Sequence, residues 1–373
     1  MRYTQYGKTG ANVSRLGFGC MRLPTVEKGG SMPDYDAAVA MLKKAIALGV
    51  NYFDSAYFYH GGESEKVLGK AISGTPREKL YIATKSPGGD NSVPGDYRRI
   101  LEEQLNKLGT DYIDFYHFHG IGFDKLYEVD ERSGWIKAAT QAKDEGLIKH
   151  ISFSFHSKPE DIKRLVDIGI FGSLLCQYNV LDRSNEEGIA YAKSKGLGVA
   201  VMGPLGGGRI SGLPVETAEK LGIKAAASAE LGLRFVATNP NVDVLLSGMS
   251  SEAQLTENAE FVSRIEPLSE AEIAAIMAML EENKRLADLY CTGCRYCMPC
   301  PQNVDISYIF QLVNMHRVYG IKEYAKNGYD SIGSGWNKNS KADACTECGE
   351  CEEKCPQKIK IRAQLKEAAE LFA

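Results

Sequence analysis

The stretch YIDFYHFH, residues 112–119, shows the repeating unit that decides the fold. It is a short apolar run typical of a buried strand, and it follows a helical pattern of Leu101, Leu105 and Leu108 that ends at Gly109. Runs of the same kind recur along the chain. The eight predicted strands are Leu16–Cys20, Val50–Ala56, Leu80–Lys85, Tyr112–His119, Ile148–Phe155, Ser173–Asn179, Gly198–Leu205 and Val242–Met249. Eight strands alternating with helices over about 280 residues predict a parallel (β/α)8 TIM barrel of the α/β class.

A doubly wound open sheet is the alternative fold. Such a sheet usually carries a G-x-G-x-x-G motif in its first strand–helix turn, and no motif of that kind opens a helix in this sequence. The glycine-rich stretch 203–208 instead follows the seventh predicted strand, where barrels tend to bind phosphate groups. The barrel is therefore the better prediction. Two short segments around a turn, residues 2–7 and 11–15, precede it.

The cysteines divide the chain into two parts. A single barrel needs about 250 residues, so a chain of 373 residues leaves more than a hundred to explain. Of the ten cysteines, eight lie between residues 291 and 355. The other two, Cys20 and Cys176, fall on predicted strands and are expected to be small core residues. We therefore predict a barrel domain over residues 1–285 and a cysteine-rich domain over residues 286–373.

Charge and hydropathy exclude several functional classes. The net charge of −4 and the pI of about 6.0 argue against nucleic-acid binding. No apolar run approaches the ~18 residues of a membrane span. The opening MRYTQYGKTG lacks the apolar core of a secretory signal, so a cytoplasmic protein is expected. In a reducing cytosol, clustered cysteines are expected to bind metal rather than form disulfides.

Polar side chains stand at the C-terminal ends of the predicted strands, which is where barrels perform chemistry. With the loop after the second strand included, they are Asp54, Tyr59, Lys85, His119, Ser154, Gln177 and Ser247. A tyrosine hydroxyl is a poor proton donor at neutral pH unless a nearby cation lowers its pKa. We expect Lys85 to supply that cation, Asp54 to orient the lysine, and His119 to hydrogen-bond the oxygen of a carbonyl. The set predicts general acid catalysis of carbonyl reduction, with hydride from a cofactor.

Each of these residues also has an ordinary structural explanation. An aromatic in a loop, such as Tyr59, often only packs, and a lysine at a strand end, such as Lys85, is usually solvated. His117 and His119 lie two residues apart on one strand face, so either is a candidate for the inward position. Only the joint occurrence of these residues at the strand ends favours catalysis.

The sequence resembles the aldo-keto reductase family over about residues 1–285. The resemblance rests on Asp54-Ser-Ala-x-x-Tyr59, the threonine–lysine pair ending at Lys85, DYIDFYHFH ending at His119, GLIKHISFS at 146–154, Gln177-Tyr178-Asn179, Pro204-Leu205 and Glu257-Asn258. It implies a catalytic tetrad of Asp54, Tyr59, Lys85 and His119, with Tyr59 as the proton donor to a small-molecule carbonyl substrate. It also implies a nicotinamide cofactor, NAD(H) or NADP(H). The residues expected to contact this cofactor are Ser154, Gln177, Met202, Gly203, Leu205, Gly207, Gly248, Gln254, Glu257 and Asn258.

The sequence departs from the family pattern at three places. Phe155 stands where asparagine normally follows the serine, and Met202 replaces the aromatic that usually stacks on the nicotinamide. Gly248 and Gln254 stand where many members have Lys and Arg around the 2′-phosphate of NADP. A phosphate dianion normally needs such a cation. The sequence therefore favours NAD over NADP and leaves a flavin open as an alternative cofactor.

Two cysteine runs mark the C-terminal domain. They read Cys291-x₂-Cys294-x₂-Cys297-x₂-Cys300-Pro301 and Cys345-x₂-Cys348-x₂-Cys351-x₃-Cys355-Pro356. The second run matches the bacterial iron–sulfur spacing C-x₂-C-x₂-C-x₃-C-P, and in two-cluster ferredoxins the fourth cysteine of each run ligates the other cluster. By that rule one [4Fe-4S] cluster is bound by Cys291, Cys294, Cys297 and Cys355, and the other by Cys345, Cys348, Cys351 and Cys300. The first run is one residue short before its last cysteine, so this pairing is a prediction rather than a rule.

Zinc is the competing metal for these cysteines. Structural zinc sites usually show two C-x₂-C pairs with a longer spacer, so the unbroken spacing favours iron–sulfur clusters. Between the runs, Ile306, Ile309, Phe310 and Val313 have helical spacing, and residues 321–325 continue it. Residues 327–339 are rich in Gly, Ser and Asn and predict a loop. The domain thus resembles a small, mainly α-helical ferredoxin-like domain with an insertion.

Three functional hypotheses follow. In the first, the barrel is a nicotinamide-dependent reductase and the clusters relay electrons to or from a redox partner protein. In the second, the clusters are structural and the barrel works alone. In the third, the barrel is a non-catalytic redox-sensing scaffold, like aldo-keto relatives that serve as channel subunits. Hydride transfer moves two electrons, whereas clusters pass them singly, so a coupled system needs a flavin or a substrate that tolerates a radical.

Overall fold

The computed structural model describes most of the chain. The described residues are 1–27, 30–206, 210, 228–288, 297–317, 319–335, 337–355 and 359–373. Three of the predicted site residues, Gly207, Cys291 and Cys294, lie outside them. The chain forms two compact units, one of Met1–Gly207 with Gly232–Pro267 and one of Gly208–Leu231 with Leu268–Ala373. The predicted domain boundary at residue 285 stays a prediction.

The first unit is a closed parallel barrel. An antiparallel hairpin of β1 (Tyr3–Gln5) and β2 (Asn12–Ser14) precedes it. The barrel strands are β3 (Leu16–Gly19), β4 (Tyr52–Asp54), β5 (Tyr81–Pro87), β6 (Ile113–Ile121), β7 (Ile148–Phe155), β8 (Ser173–Gln177), β9 (Gly198–Met202) and β10 (Val244–Gly248). They pair in the order β10-β3-β4-β5-β6-β7-β8-β9 and close. The predicted TIM barrel is confirmed, with every strand within three residues of its predicted bounds.

Helices connect the strands and cover the barrel. They are α1 (Tyr35–Ala47), α2 (Ser64–Ile72), α3 (Asp96–Leu108), α4 (Phe123–Ser133), α5 (Trp135–Asp144), α6 (Asp161–Asp167), α7 (Glu186–Ser194), α8 (Ser228–Thr238) and α9 (Glu252–Arg264). In α3 the apolar stripe predicted from Leu101, Leu105 and Leu108 is buried. The helix ends at Gly109, whose φ of 62° lets its N–H bond back to Leu105 and Asn106. Periodicity and a glycine cap thus give the helix both its buried face and its end.

Aromatic side chains fill the N-terminal end of the barrel. Tyr6, in the loop of the hairpin, is fully buried and packs edge-on against Phe115, with ring centroids 4.8 Å apart. The approach requires a glycine on β9, since a Cβ at Gly198 would lie 2.6 Å from the Tyr6 ring. Because this end is filled, the polar chemistry of the barrel gathers at the other end.

The second unit contains a helical core of its own. Its helices are α10 (Glu270–Asp288), α11 (Ile306–Arg317), α12 (Lys322–Asp330), α13 (Glu350–Glu353) and α14 (Ile361–Leu371). The predicted helical stripe from Ile306 to Val313 is buried in this core. The loop predicted over residues 327–339 is wrong for its first four residues, which belong to α12. Gly328 lies there because α11 passes close by: a Cβ would lie 2.7 Å from Leu312.

None of the helices among the described residues is both long enough and apolar enough to span a membrane.

Candidate active site and cysteine-lined cavity

A buried ion pair lies at the centre of the barrel site. Asp54 ends β4 and Lys85 lies near the end of β5, and the two side chains are 3% and 2% exposed. The Lys85 ammonium donates to Asp54 Oδ1 and to the backbone carbonyl of Ser55. Burial alone lowers the pKa of Lys85, but Asp54 and then Tyr59 raise it, and the net shift is upward. Lys85 is therefore a fixed cation.

Tyr59 stands beside this cation. It begins the 3-10 turn Tyr59–Gly62 after β4, and Lys85 Nζ lies 4.8 Å from the centroid of its ring. Burial raises the pKa of Tyr59, while the charge of Lys85 acts in the opposite direction. Lys85 thus acts on Tyr59 in the expected direction, but burial outweighs it. The turn bends through His60 at φ 54° and is held to the loop before α1 by a 3.0 Å contact between His60 Nδ1 and the Ser31 carbonyl.

Both histidines of β6 point into the barrel, at different depths. Phe115 lies in the barrel interior, so His117 and His119, two and four residues further on, share its face. His117 is fully buried, with Nε2 3.9 Å from Asp54 Oδ2. His119 lies one layer higher, with its ring centroid 6.3 Å from that of Tyr59. The sequence left open which one faces inward, and the structure gives each a layer of its own.

His119 is a neutral hydrogen-bonding group. Burial, and then the charge of Lys85, lower its pKa to about 3. A neutral imidazole presents one N–H donor, which can bond the oxygen of a carbonyl, whereas a charged ring would be repelled by the nearby Lys85. The four predicted catalytic residues therefore converge as a buried cation, its carboxylate, a tyrosine and a neutral histidine.

Several predicted cofactor residues cluster at the ends of β7, β8 and β9. Ser154 Oγ accepts from the backbone N–H of Gly120 at 2.8 Å, next to His119. Gln177 pairs with Met202 across β8 and β9. The turn after β9 begins at Gly203, where a Cβ would lie 2.7 Å from Gln177 Nε2. Because Gly203 has no side chain, the Gln177 amide packs directly against the turn, and we call this contact the Gln177–Gly203 cradle. Leu205 follows in the same turn and is half-buried.

The predicted adenine-side residues lie at β10 and α9, and two of them are engaged within the protein. Gln254 Oε1 accepts from the Ser250 N–H at 2.8 Å, which helps cap α9. Asn258 Nδ2 donates to Ser247 Oγ at 3.2 Å and is buried. Glu257 and Gly248 are exposed.

Sequence reasoning missed two residues at this rim. The exposed Arg22 side chain lies against Gly248, with Cδ 3.1 Å from the position of a Cβ. His156 follows β7, with its Cδ2 3.7 Å from the Cβ position at Gly120. Both follow directly after predicted strand ends, Arg22 two residues beyond Cys20 and His156 immediately after Phe155, and that position was the available signal.

Cysteines line one cavity in the second unit. Its lining includes three cysteines of the second run, together with Cys300 and Cys297 of the first. Cys348 is exposed and Cys351 is buried, so the cavity reaches the surface at one edge. Among the described residues, no three Cys, His, Asp or Glu side chains converge closely enough to bind a single metal ion. The cavity wall is rich in thiols, and cysteine thiolates are the ligands that hold iron–sulfur clusters. Cys20 and Cys176 are fully buried in the barrel, as predicted.

A closed parallel barrel with this polar set at its C-terminal end defines a barrel oxidoreductase. Comparison with known proteins gives the family. The family model described as "Aldo/keto reductase family" matches residues 15–281, and one described as "4Fe-4S dicluster domain" matches residues 290–359. The chain belongs to the aldo/keto reductase family and carries a C-terminal 4Fe-4S dicluster domain.

Individual relatives agree with the family model. The chain is 32% identical to L-galactose dehydrogenase from Arabidopsis thaliana over 309 residues, which is 75% of this chain and 94% of that protein. It is 27% identical to an uncharacterized oxidoreductase of Bacillus subtilis, over 76% of this chain and 98% of that one. The holo form of an aldo-keto reductase from Bacillus halodurans superposes with a TM-score of 0.64, at 28% identity over 74% of this chain and 96% of that structure. These relatives correspond to the barrel.

Proposed function

We propose that the barrel catalyses reversible, nicotinamide-dependent reduction of a small-molecule carbonyl, with Tyr59 as the general acid. The carrying observation is the buried Lys85–Asp54 ion pair beside the Tyr59 ring, with the neutral His119 facing the same space. Family membership supports the reaction class and a nicotinamide cofactor. The Gln177–Gly203 cradle supports a place for that cofactor at the ends of β8 and β9.

Each residue has a separate task in the reaction. A bound nicotinamide supplies or accepts the hydride. Tyr59 gives its hydroxyl proton to the carbonyl oxygen, and Lys85 stabilises the phenolate that remains. Asp54 keeps Lys85 charged and oriented in a place where an unpaired ammonium would be costly. His119 donates a hydrogen bond to the same carbonyl oxygen and so polarises the carbonyl.

The test of this proposal is a conservative substitution. Tyr59→Phe removes only the hydroxyl, and we expect kcat/KM for carbonyl reduction to fall by about 10²- to 10⁴-fold. Tyr57→Phe is the matched control, because the Tyr57 hydroxyl bonds Glu103 at 2.9 Å and not the site. The assay follows reduced nicotinamide absorbance over a panel of aldehydes and ketones. Full activity in Tyr59→Phe refutes the tetrad, and a wild type inactive on every carbonyl and alcohol favours the scaffold hypothesis.

We also propose NAD as the preferred cofactor. Neither Gly248 nor Gln254 provides a cation, and the Gln254 amide caps α9. The positively charged Arg22 side chain lies against Gly248, so the test includes an Arg22 variant. We expect a lower KM for NADH than for NADPH, in the wild type and in Arg22→Gln alike. A preference for NADPH that disappears in Arg22→Gln contradicts this proposal and assigns the phosphate to Arg22.

We further propose that the C-terminal unit binds two [4Fe-4S] clusters and passes electrons to or from a redox partner protein in the cytoplasm. One cluster is bound by Cys345, Cys348, Cys351 and Cys300, and the other by Cys291, Cys294, Cys297 and Cys355. Cys300 and Cys297 of the first run both lie in the wall of the second-run cavity, which supports the proximity of the two runs that an exchange of fourth ligands requires. The exposed edge at Cys348 supports electron exchange with a partner.

Anaerobic isolation tests this assignment. We expect a brown protein with about four irons and four sulfides per cluster, and zinc and flavin are quantified in the same sample. A colourless, zinc-rich protein contradicts the clusters. Bleaching of the visible absorbance by reduced nicotinamide supports electron transfer between the barrel and the clusters. A stoichiometric flavin would identify the group that divides the two electrons of a hydride into single electrons for the clusters. Clusters that do not bleach under any of these conditions favour a structural role.

A further inference from the structure

The surroundings of the second cysteine run are strongly charged. By sequence, Glu347, Glu350, Glu352 and Glu353 lie among its cysteines, whereas the first run contains no acidic residue. Of the residues that line the cavity among the described part of the chain, only two carry a charge, Glu350 and Arg362. The carboxylate and the guanidinium therefore exert opposite electrostatic effects on whatever the cavity holds.

Arg362 is fixed in position by Glu352. It is the second residue of α14, and its backbone N–H donates to Glu352 Oε1 at 2.9 Å. Its Nη2 donates to Glu352 Oε2, also at 2.9 Å. One bond comes from the backbone and the other from the guanidinium, so the Glu352 carboxylate is tied to the start of α14 and the guanidinium to that carboxylate. Arg362 lines the cavity and Glu352 does not, and the Arg362 side chain is 45% exposed, so the cation stands at the solvent edge of the cavity.

The guanidinium lies over the ligand loop itself. Its Cζ is 3.9 Å from the Cβ position at Gly349, the residue between Cys348 and the start of α13. Gly349 has a φ of 84°, so the loop turns there without a side chain and leaves its backbone open to the arginine. Lys354, a basic residue of the same run, pairs with Glu350 at 3.7 Å and is not among the residues that line the cavity.

We propose that Arg362 raises the reduction potential of the cluster bound by Cys345, Cys348, Cys351 and Cys300. This inference rests on the proposed cluster assignment. Reduction adds one electron to the cluster, with no bond formed or broken and no proton taken up, so the site gains one negative charge. A fixed cation at the cavity wall stabilises that charge, and net charge is one of the terms that set cluster potentials. Glu350 acts in the opposite direction from the same wall.

The experiment is a redox titration of the full-length holoprotein with dithionite, followed by EPR and visible absorbance under strict anaerobiosis. Arg362→Gln is expected to lower the reduced-to-oxidised ratio of one cluster at a fixed potential by about three- to tenfold, where tenfold corresponds to about 59 mV for one electron. Glu350→Gln is expected to shift the same cluster in the opposite direction. The other cluster keeps its midpoint. Both shifts shrink at high salt, because the groups are partly solvent-exposed.

Two further variants separate charge from structure. Arg362→Lys keeps the charge and should recover most of the wild-type midpoint. Arg317→Gln is the matched control, because Arg317 pairs with Glu367 at 3.0 Å in the same unit but does not line the cavity. Unchanged midpoints in Arg362→Gln at full iron content overturn the proposal, as do equal shifts of both clusters or iron loss in both Arg362 variants. A wild type without an iron–sulfur signal instead refutes the cluster assignment itself.

Discussion

The barrel and the cysteine-rich unit place their reactive groups in different ways. In the barrel, Asp54, Lys85 and His119 come from three different strands and meet only when the parallel sheet closes. In the second unit, Cys345, Cys348 and Cys351 lie within seven residues of chain. The barrel site therefore depends on tertiary register, and the cysteine site mainly on local spacing. Damage to the barrel core should abolish chemistry, whereas damage to a cysteine should remove metal.

The largest expected effect is at the buried ion pair. Lys85→Met leaves Asp54 buried without a partner, so we expect about 3–5 kcal/mol of lost stability. We also expect kcat/KM to fall about 10²- to 10⁴-fold. The double variant Lys85→Met/Asp54→Asn should regain much of the stability but none of the activity. Urea unfolding and steady-state kinetics on the same preparations measure both quantities. Activity in the double variant would show that the barrel chemistry does not depend on the ion pair.

Cysteine substitutions test whether the second unit binds metal through its clustered cysteines. Cys345→Ser is expected to lower the iron content by about four atoms per molecule. Cys176→Ser is the matched control, because Cys176 is fully buried in the barrel, where burial raises the pKa of its thiol and keeps it protonated. We expect the control to keep all of its iron. Colorimetric iron and sulfide assays measure the outcome, and iron loss in the control would contradict the division of the ten cysteines into eight ligands and two core thiols.

The lowered pKa of His119 makes the stability of the barrel depend on pH. The pKa of His119 is about 3 in the folded protein, against about 6.5 for an unfolded chain. Below pH 6.5 the unfolded state takes up a proton that the folded state does not, so stability falls as the pH drops from about 6.5 toward 3. His119→Gln should flatten that slope. Urea midpoints measured at several pH values test this, and an unchanged slope in His119→Gln would contradict it.

The smallest expected effect compares one glycine from each unit. In α2, a Cβ at Gly69 would lie 2.6 Å from the backbone oxygen of Lys107, which cannot move cheaply. Gly69→Ala should therefore cost about 1–3 kcal/mol. In α12, a Cβ at Gly328 would meet the flexible end of Leu312. Gly328→Ala should cost less, because the leucine side chain can move aside, whereas the gain of about 1 kcal/mol in helix propensity is the same for both variants. Thermal unfolding ranks the two variants, and the reverse order would refute this account.

Sequence reasoning succeeded where the signal is local and repeated. Strand–helix alternation predicted the barrel, and the register of strand ends brought Asp54, Lys85 and His119 together as expected. It failed where a contact is made between distant elements. Residues 327–330 have the composition of a loop but form a helix, because Gly328 allows α11 to approach. Likewise, Arg22 lies on Gly248, and the sequence signals that contact only through the position of Arg22 two residues beyond a predicted strand end.

The aromatic side chains that fill the N-terminal end of the barrel, Tyr6 and Phe115, have a kinetic consequence. Because Tyr6 fills that end, molecules reach Lys85 and Tyr59 from the C-terminal rim in the part of the barrel that the structure describes. Two molecules that use one opening cannot enter independently once the outer one is in place. The deeper ligand binds first and leaves last, so initial-rate patterns should show a compulsory order of addition.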